Sequence, residues 1–269
     1  MIVNVFGPLS VTTATATLRG SSFGGAQARA TFEMLLLARG NTITKEQLAD
    51  GVWADAPPRN INSAVEQAIC TLRRRLFSCA TTARTVVQTE PNAYRIDTNL
   101  FDFDLDRFDR AWQLAATANG DKKYEALAHA AACAQHELLA DAPYAEWASE
   151  SRERYRLQAA RAHLMLAAWN LVHRRPESAL QNCEHAVRHV PLSEEAHRLT
   201  LVADALLGHS DMARYSHQRF TAMLHTSLGV TPSPETVAIT NAINQGMPAA
   251  QLLLLACPNT PQPRIRATQ

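Results

Sequence analysis

The stretch of the chain best suited to recognition chemistry is NINSAVEQAICTLRRRLF, residues 60–77. Apolar residues recur in it every three or four positions, which predicts one narrow apolar helix face, formed by Ile61, Val65, Ile69, Leu72 and Leu76. The opposite face carries polar side chains at similar spacing, namely Ser63, Gln67, Cys70 and Arg74. Serine, glutamine and arginine can hydrogen-bond to base edges in a DNA groove, and arginine also binds phosphate. Periodicity alone favours a solvated polar face, so the neighbouring elements must decide between the two interpretations.

A capped helix and a proline-containing loop are predicted before this stretch. Thr44 and Gln47 fit a capping box, in which the hydroxyl accepts from one free helix N–H and the amide oxygen accepts from another. The loop ADAPPR, residues 54–59, cannot be helical because two consecutive prolines interrupt the backbone hydrogen bonds. Short strands within 2–18 and a helix over 26–38 come earlier in the chain.

A β-hairpin is predicted after the stretch, in TVVQTEPNAYRID with its turn at EPNA. The order strand, strand, helix, helix, loop, helix, hairpin is typical of a winged helix, which places its third helix in a major groove and its hairpin beside it. On this interpretation the DNA-binding residues are Ser63, Gln67, Cys70, Thr71, Arg73, Arg74, Thr89, Asn92 and Arg95. Glu90 at the hairpin tip would repel phosphate and so weaken the electrostatic attraction of the hairpin to DNA.

The remainder of the chain is predicted to be helical. Amphipathic stretches cover 122–140, 147–173, 177–189, 194–207 and 211–227, and RRPESAL and GHSDMAR overlay at a spacing of 34 residues. Two helices in a repeat of that length are typical of tetratricopeptide repeats. The predicted fold is mainly α, with an N-terminal α+β winged helix over 1–97, an all-α tetratricopeptide-like helical-repeat domain over 102–245, and a poorly ordered tail over 246–269.

Composition and charge narrow the class of protein. The chain has 269 residues, is 46% hydrophobic, and carries a net charge of only +1, so global charge does not indicate a nucleic-acid partner. Residues 1–97 are mildly basic, with 10 Lys and Arg against 7 Asp and Glu. Five cysteines without a C-x-x-C pair favour reduced thiols in the cytoplasm. The sequence shows no signal peptide at its start and no apolar run long enough to span a membrane.

No spacing in the sequence indicates an enzyme, a cofactor or a metal site. Gly20, Gly24 and Gly25 are not followed by the Gly-Lys-Ser/Thr of a phosphate loop, so a turn is predicted there. His185 and His189 share a helix face near Cys183, but a metal needs further ligands, and a solvated helix is favoured.

Blocks in a fixed order carry a resemblance to a known family. FGPLSV, the long segment from FGGAQARATFEMLLLARG to AICTLRRRL, and AYRID resemble the N-terminal domain of the Streptomyces antibiotic regulatory proteins. FDLDRFDRA, AEWASESRERYRLQA, HRRPESAL and LGVTPSPET resemble the bacterial transcriptional activation domain that follows it in that family. The resemblance covers about residues 2–245.

The resemblance implies an OmpR-type winged helix joined to a tetratricopeptide-like domain, and activation of a secondary-metabolite (antibiotic biosynthesis) gene cluster. It further implies binding of paired copies to direct repeats in promoter double-stranded DNA, and recruitment of RNA polymerase. The loop between the second and third helices is then the expected polymerase contact, through Asp55, Pro57 and Arg59.

Four positions depart from the family pattern. Gln27 replaces a lysine, Thr71 and Glu90 replace arginines, and Ala93 replaces the glycine before the wing tyrosine. Lost phosphate contacts lower affinity and flatten its dependence on salt. A second interpretation therefore stays open, in which the chain is a protein-interaction regulator whose degenerate winged helix serves dimerisation or docking.

Overall fold

The computed structural model describes residues 1–14, 16–54, 56–77, 86–258 and 260, apart from the side chain of Phe77. The chain divides into two compact units. The first unit contains Met1–Arg110 and Cys133–Tyr155, and the second contains Ala111–Ala132 and the residues from Arg156 onward. Each unit is therefore built from two separate segments of the chain. The domain boundaries at 97 and 102 stay a prediction.

The first unit begins with a small mixed sheet. Strands β1 (Ile2–Asn4), β2 (Ser10–Thr12) and β3 (Thr17–Arg19) are antiparallel neighbours. After them come a 3₁₀ turn (Gly20–Phe23) and helix α1 (Ala26–Leu37). The central residue of each strand is buried, namely Val3, Val11 and Leu18, which is why these short strands form here.

A second sheet and two helices complete the winged helix. The elements in chain order are β4 (Ile43–Thr44), α2 (Lys45–Trp53), α3 (Ile61–Phe77), β5 (Val87–Glu90), β6 (Ala93–Ile96) and β7 (Asp102–Phe103). The sheet order is β4-β6-β5, whereas β7 pairs in parallel with β1 in the first sheet. The predicted capping box at Thr44 and Gln47 is present, and the predicted hairpin is β5–β6.

The prediction of a helix over 122–140 is wrong beyond Cys133. The residues after that helix return to the segment that follows β1, where Leu139 N donates to Val5 O at 2.7 Å and Ala140 N donates to Gly7 O at 3.0 Å. The buried Arg152 holds this segment by donating to the carbonyls of Leu138, Ala142, Pro143 and Ala145. Backbone groups satisfied by a distant strand cannot also form a helix.

Helices form the rest of the described chain. Their bounds are α4 (Asp104–Thr117), α5 (Asp121–Cys133), α6 (Ser149–Val172), α7 (Pro176–His189), α8 (Glu194–Leu206), α9 (Ser210–Leu228), α10 (Pro234–Asn244) and α11 (Ala249–Ala256). Helix α8 lies at the centre of the second unit and contacts α7, α9, α10 and α11. Ala179 and Ala213, which the 34-residue spacing aligns, are both buried, and the predicted fold class is confirmed.

The prediction of a poorly ordered tail is wrong for residues 249–257. Helix α11 forms there because Leu252, Leu253 and Cys257 are buried in the same apolar core as α8. Within the part of the chain that the structure describes, no helix combines the length and apolar character needed to cross a bilayer.

Candidate nucleic-acid interface

Helix α3 separates a buried face from a polar one, as its sequence predicts. Its residues Val65, Ile69, Leu72 and Leu76 are at most 1% exposed, whereas Ser63, Gln67, Cys70 and Arg74 are all exposed. Asn60 begins the helix by accepting the Ser63 N–H on its side-chain oxygen at 3.0 Å. The structure therefore brings the four polar side chains together on one accessible surface, here called the α3 outer face.

Thr71 lies at the edge of the α3 outer face, against the turn that precedes α1. Gly24 in that turn has φ +96°, and a Cβ there would lie only 2.4 Å from Thr71 Cγ2. Glycine is thus required at position 24 both for its backbone conformation and for close approach to α3. Thr71 is half-buried, and its hydroxyl accepts from the Arg74 guanidinium at 3.4 Å. Its position makes Thr71 a packing residue of α3, which the spacing of the sequence does not reveal.

Arg73 joins α3 to the hairpin rather than extending into solvent. Its Nη2 donates to Val87 O at 2.7 Å and to Thr89 Oγ1 at 2.8 Å, and its guanidinium lies 6.0 Å from the centre of the Tyr94 ring. Three donors are therefore used within the protein, since Nε also donates to Val87 O. Sequence reasoning missed this contact because no local pattern pairs a helix arginine with a strand carbonyl 14 residues later.

The polar and charged side chains near the hairpin tip contact one another or other residues of the protein. Arg95 Nε is 3.0 Å from Glu90 Oε1, so the negative charge predicted to repel phosphate has its own arginine partner. Asn92, at φ +57°, donates its amide to both carboxylate oxygens of Glu46 at 3.2 and 3.3 Å. The Asn92 hydrogen bond is the main reason that the pKa of Glu46 is lowered. The exposed Thr89 and Asn92 remain accessible at this tip.

The loop between α2 and α3 presents two of its three predicted polymerase-contact residues. Pro57 and Arg59 are exposed, whereas Asp55 lies outside the described residues. Ala56 N donates to Trp53 O at 2.9 Å, and Ala54 has φ +41°, so the chain turns sharply out of α2. Lys45 Nζ lies 2.6 Å from Glu66 Oε1 and links the start of α2 to α3.

A histidine cluster in the second unit extends the pair noted in the sequence. His163 on α6 stacks on His185 at 4.7 Å between ring centres and lies 6.2 Å from His189. Near-parallel stacked rings do not direct their nitrogens at a common point. Among the described residues, no group of three or more His, Cys, Asp or Glu side chains is arranged to hold a metal ion.

Comparisons with known proteins point to one family. Residues 103–244 match the model of the bacterial transcriptional activator domain. The transcriptional regulatory protein MoaR1 of Mycobacterium tuberculosis is 26% identical over 258 residues, which cover 93% of this chain and 81% of MoaR1, and MoaR1 of Mycobacterium bovis matches equally. The solved structure of Mycobacterium tuberculosis EmbR in complex with a low-affinity phosphopeptide superposes with a TM-score of 0.76 at 20% identity, covering 95% of this chain and 69% of that one.

Proposed function

Because the chain belongs to the bacterial transcriptional activator domain family, we propose that it is a sequence-specific DNA-binding transcriptional activator. The resemblance to the Streptomyces antibiotic regulatory proteins is confirmed by the family match and by the MoaR1 relatives, which are transcriptional regulators by name. The finer proposal concerns how this chain acts: it binds direct repeats in a promoter as paired copies, in the cytoplasm, and recruits RNA polymerase to genes of a secondary-metabolite cluster.

One observation carries the DNA-binding proposal, namely the α3 outer face. Ser63, Gln67 and Arg74 offer hydrogen-bond groups suited to base edges, and the buried opposite face fixes the helix that presents them. Arg75 is also exposed at the end of α3 and can contact phosphate. Arg73 has a supporting role in this proposal, since it holds the hairpin in register beside α3.

The direct test is selection of binding sites from a random double-stranded DNA pool by the purified full chain. We expect enrichment of a repeated motif, and weaker binding to it by Arg74→Ala and Gln67→Ala, at about 1–3 kcal/mol for each lost base contact. Arg161→Ala serves as the control, because that arginine is exposed on the second unit and pairs with Glu195. Unchanged affinity in both α3 variants would show that the α3 outer face does not read DNA.

The proposed polymerase contact is the loop 54–59. Two prolines restrict its backbone, so binding a partner there costs little ordering entropy. Replacing Asp55 and Arg59 by alanine is expected to leave operator affinity unchanged while lowering transcription in a purified system. Normal transcription at equal operator occupancy would make the loop a plain connector.

A second candidate function is favoured by the low positive charge near the hairpin β5–β6. Arg73 and Arg95 are used within the protein, and Gln27 and Glu90 stand where basic residues are expected, so the surface is less basic than DNA binding favours. In this alternative the winged helix mediates dimerisation or docking to another protein. It predicts no enriched DNA motif, together with self-association in analytical ultracentrifugation that Gln67→Glu or Arg74→Glu disrupts.

A further inference from the structure

The second unit contains a cavity of about 550 Å³ between α7, α8 and α9. Apolar and aromatic side chains form much of its wall, including Leu180, Met212, Tyr215, Phe220 and Met223. Met212, Tyr215 and Met223 are 58, 56 and 41% exposed, an unusual exposure for large apolar side chains. A volume of this size is typical of pockets that bind small organic molecules.

Asp204 lines this cavity and is its most informative polar residue. The residue is only 9% exposed, and among the described residues its carboxyl has no hydrogen-bond or ion-pair partner. Burial raises the pKa of the Asp204 carboxyl, while the exposed His209 opposes that shift. The carboxyl is therefore held in a largely buried residue that lines an open cavity, where a ligand with a suitable donor can form a charge-assisted hydrogen bond with it.

The other largely buried polar groups along the cavity are already satisfied or neutral. His197 Nε2 lies 3.3 Å from His217 Nδ1, and burial lowers the pKa of His197 to about 4, so its ring is uncharged at neutral pH. The Thr200 hydroxyl donates to Ala196 O at 2.9 Å, and burial raises the pKa of the Cys183 thiol to about 12. Among these largely buried lining residues, Asp204 is therefore the one whose side chain can still accept hydrogen bonds.

The charges lining the cavity favour a cation. Glu184 and Asp204 are acidic, and the single lining arginine, Arg219, lies with its guanidinium 5.8 Å from the centre of the Tyr215 ring. The faces of Tyr215 and Phe220 and the thioethers of the two methionines are surfaces on which organic cations and aromatic rings pack well.

We propose that this cavity binds a small aromatic amine, whose ammonium group pairs with Asp204 while its apolar body contacts Met212, Tyr215, Phe220 and Met223. The ammonium supplies the donor that the carboxyl lacks, and the apolar body covers the exposed side chains. The site is independent of the proposed DNA binding.

The test uses three probes that share an indole ring and differ in the end group. Tryptamine carries an ammonium, tryptophol a hydroxyl and indole-3-propionate a carboxylate. Binding to the full chain is measured by isothermal titration calorimetry, with chemical-shift changes of labelled methionine methyl groups to locate the probe. We expect tryptamine to bind about tenfold or more tightly than tryptophol, since a hydrogen bond to a charged group is stronger than a neutral one, and indole-3-propionate not to bind.

Two substitutions distinguish the contribution of the Asp204 carboxyl to binding from that of the space in the cavity. Asp204→Asn keeps the size of the side chain and should abolish the preference for tryptamine over tryptophol, with the chain still folded. Ser216→Trp, at a lining position, should block all three probes. Asp211→Asn is the matched control, because its carboxylate is 93% exposed on the same helix α9 and does not line the cavity.

Three results would overturn the proposal. The first is the absence of saturable tryptamine binding at millimolar concentration. The second is equal binding of tryptamine by Asp204→Asn and the unsubstituted chain. The third is tighter binding by a lysine-containing tetrapeptide than by tryptamine, which would make the cavity a peptide site.

Discussion

The most deeply buried Asp, Glu and His side chains of the two compact units are of different kinds. Glu33 and Asp104 are at most 3% exposed in the first unit, whereas His163 and His197 are at most 6% exposed in the second. A buried acid resists losing its proton, and a buried imidazole resists gaining one. The two units should therefore respond to pH in opposite directions, although both follow the same rule of desolvation.

The carboxyls of the first unit differ in their partners. Asp104 Oδ2 accepts from Val5 N at 2.8 Å and Phe6 N at 2.9 Å, so it joins the start of α4 to the segment that follows β1. Glu33 has Arg29 Nε at 3.4 Å, but neither of its oxygens has a hydrogen bond. Burial therefore outweighs the arginine and raises the pKa of Glu33 to about 7.

The imidazoles of the second unit are only partly satisfied. His163 Nδ1 lies 3.0 Å from Asn182 Oδ1, whereas its Nε2 is buried without a hydrogen-bond partner. His197 stacks on Phe220 at 4.2 Å between ring centres. Burial is the main cause that lowers the pKa of each ring to about 4, and neighbouring histidines add to the effect.

The largest expected effect is a loss of stability of the second unit in acid. The folded pKa of both histidines lies below the ordinary value of 6.5, so their contribution is complete above pH 6.5 and is lost as pH falls toward 4. The shift corresponds to about 3 kcal/mol for each ring, or about 6 kcal/mol for the pair. Hydrogen exchange in α7 and α8, corrected for intrinsic rates, measures it. His163→Gln should reduce the pH dependence of this stability, whereas His225→Gln, at an exposed histidine, should not. Equal pH dependence in the two variants would contradict the assignment to buried imidazoles.

Removing a partnered carboxyl should cost more than removing an unpartnered one. Asp104→Ala leaves two buried N–H groups without an acceptor and is expected to lower the free energy of unfolding by about 4 kcal/mol. Asp204→Ala, which removes no hydrogen bond, is expected to cost about 1 kcal/mol or less. Urea unfolding, with hydrogen exchange in β1 and α8 to assign each unit, checks the pair. Similar costs would show that the hydrogen bonds of Asp104 contribute little.

Glu33 should give the first unit the opposite pH response. Its folded pKa of about 7 lies above the ordinary value of 4.5, so its contribution is complete below pH 4.5 and is lost as pH rises through 7. The difference is about 3 kcal/mol. Glu33→Gln should abolish the dependence in α1 and raise stability at pH 8. If exchange in α1 keeps its slope in this variant, another group is responsible.

A smaller effect than that of Glu33 is expected from replacing Arg73, whose contacts in the first unit are not deeply buried. Arg73→Lys keeps the charge but cannot make the same set of bonds to Val87 O and Thr89. We expect a loss of about 1 kcal/mol, seen as faster exchange in β5 with α8 unchanged. Arg75→Lys, on an exposed neighbouring arginine, is the matched control. Identical exchange in the two variants would mean that Arg73 does not hold the hairpin.

Local patterns in the sequence were sufficient to predict many elements of the fold. The apolar face of α3, the capping box at Thr44 and the hairpin each depend on residues close in sequence, whose spacing directly reflects helix or strand geometry. The 34-residue spacing was also informative, because aligned alanines occupy equivalent buried positions.

Contacts between distant residues were not predictable in this way. The two-residue strand β4 has no pattern of its own and exists because Ile43 pairs with Tyr94. The roles of Arg73 at the hairpin and of Asp204 in its cavity likewise depend on elements brought together by the fold. For the candidate interface, the sequence therefore predicted which side chains are exposed on α3, but not which arginines are already engaged.

The return of residues 133–155 to the first unit has a consequence for synthesis of the chain. Leu9 N donates to Asp141 Oδ1 across 132 positions, and Arg29 Nη1 contacts Asp141 across 112. During translation, at about 5–20 residues per second, the early strands must wait several seconds for these partners to leave the ribosome. Helix α3 and its hairpin can meanwhile form from nearby residues, whereas the carbonyls of Val5 and Gly7, which later accept from Leu139 N and Ala140 N, lack these partners. The nascent chain is therefore open to non-native pairing at Val5 and Gly7 in the interval before residue 155 emerges.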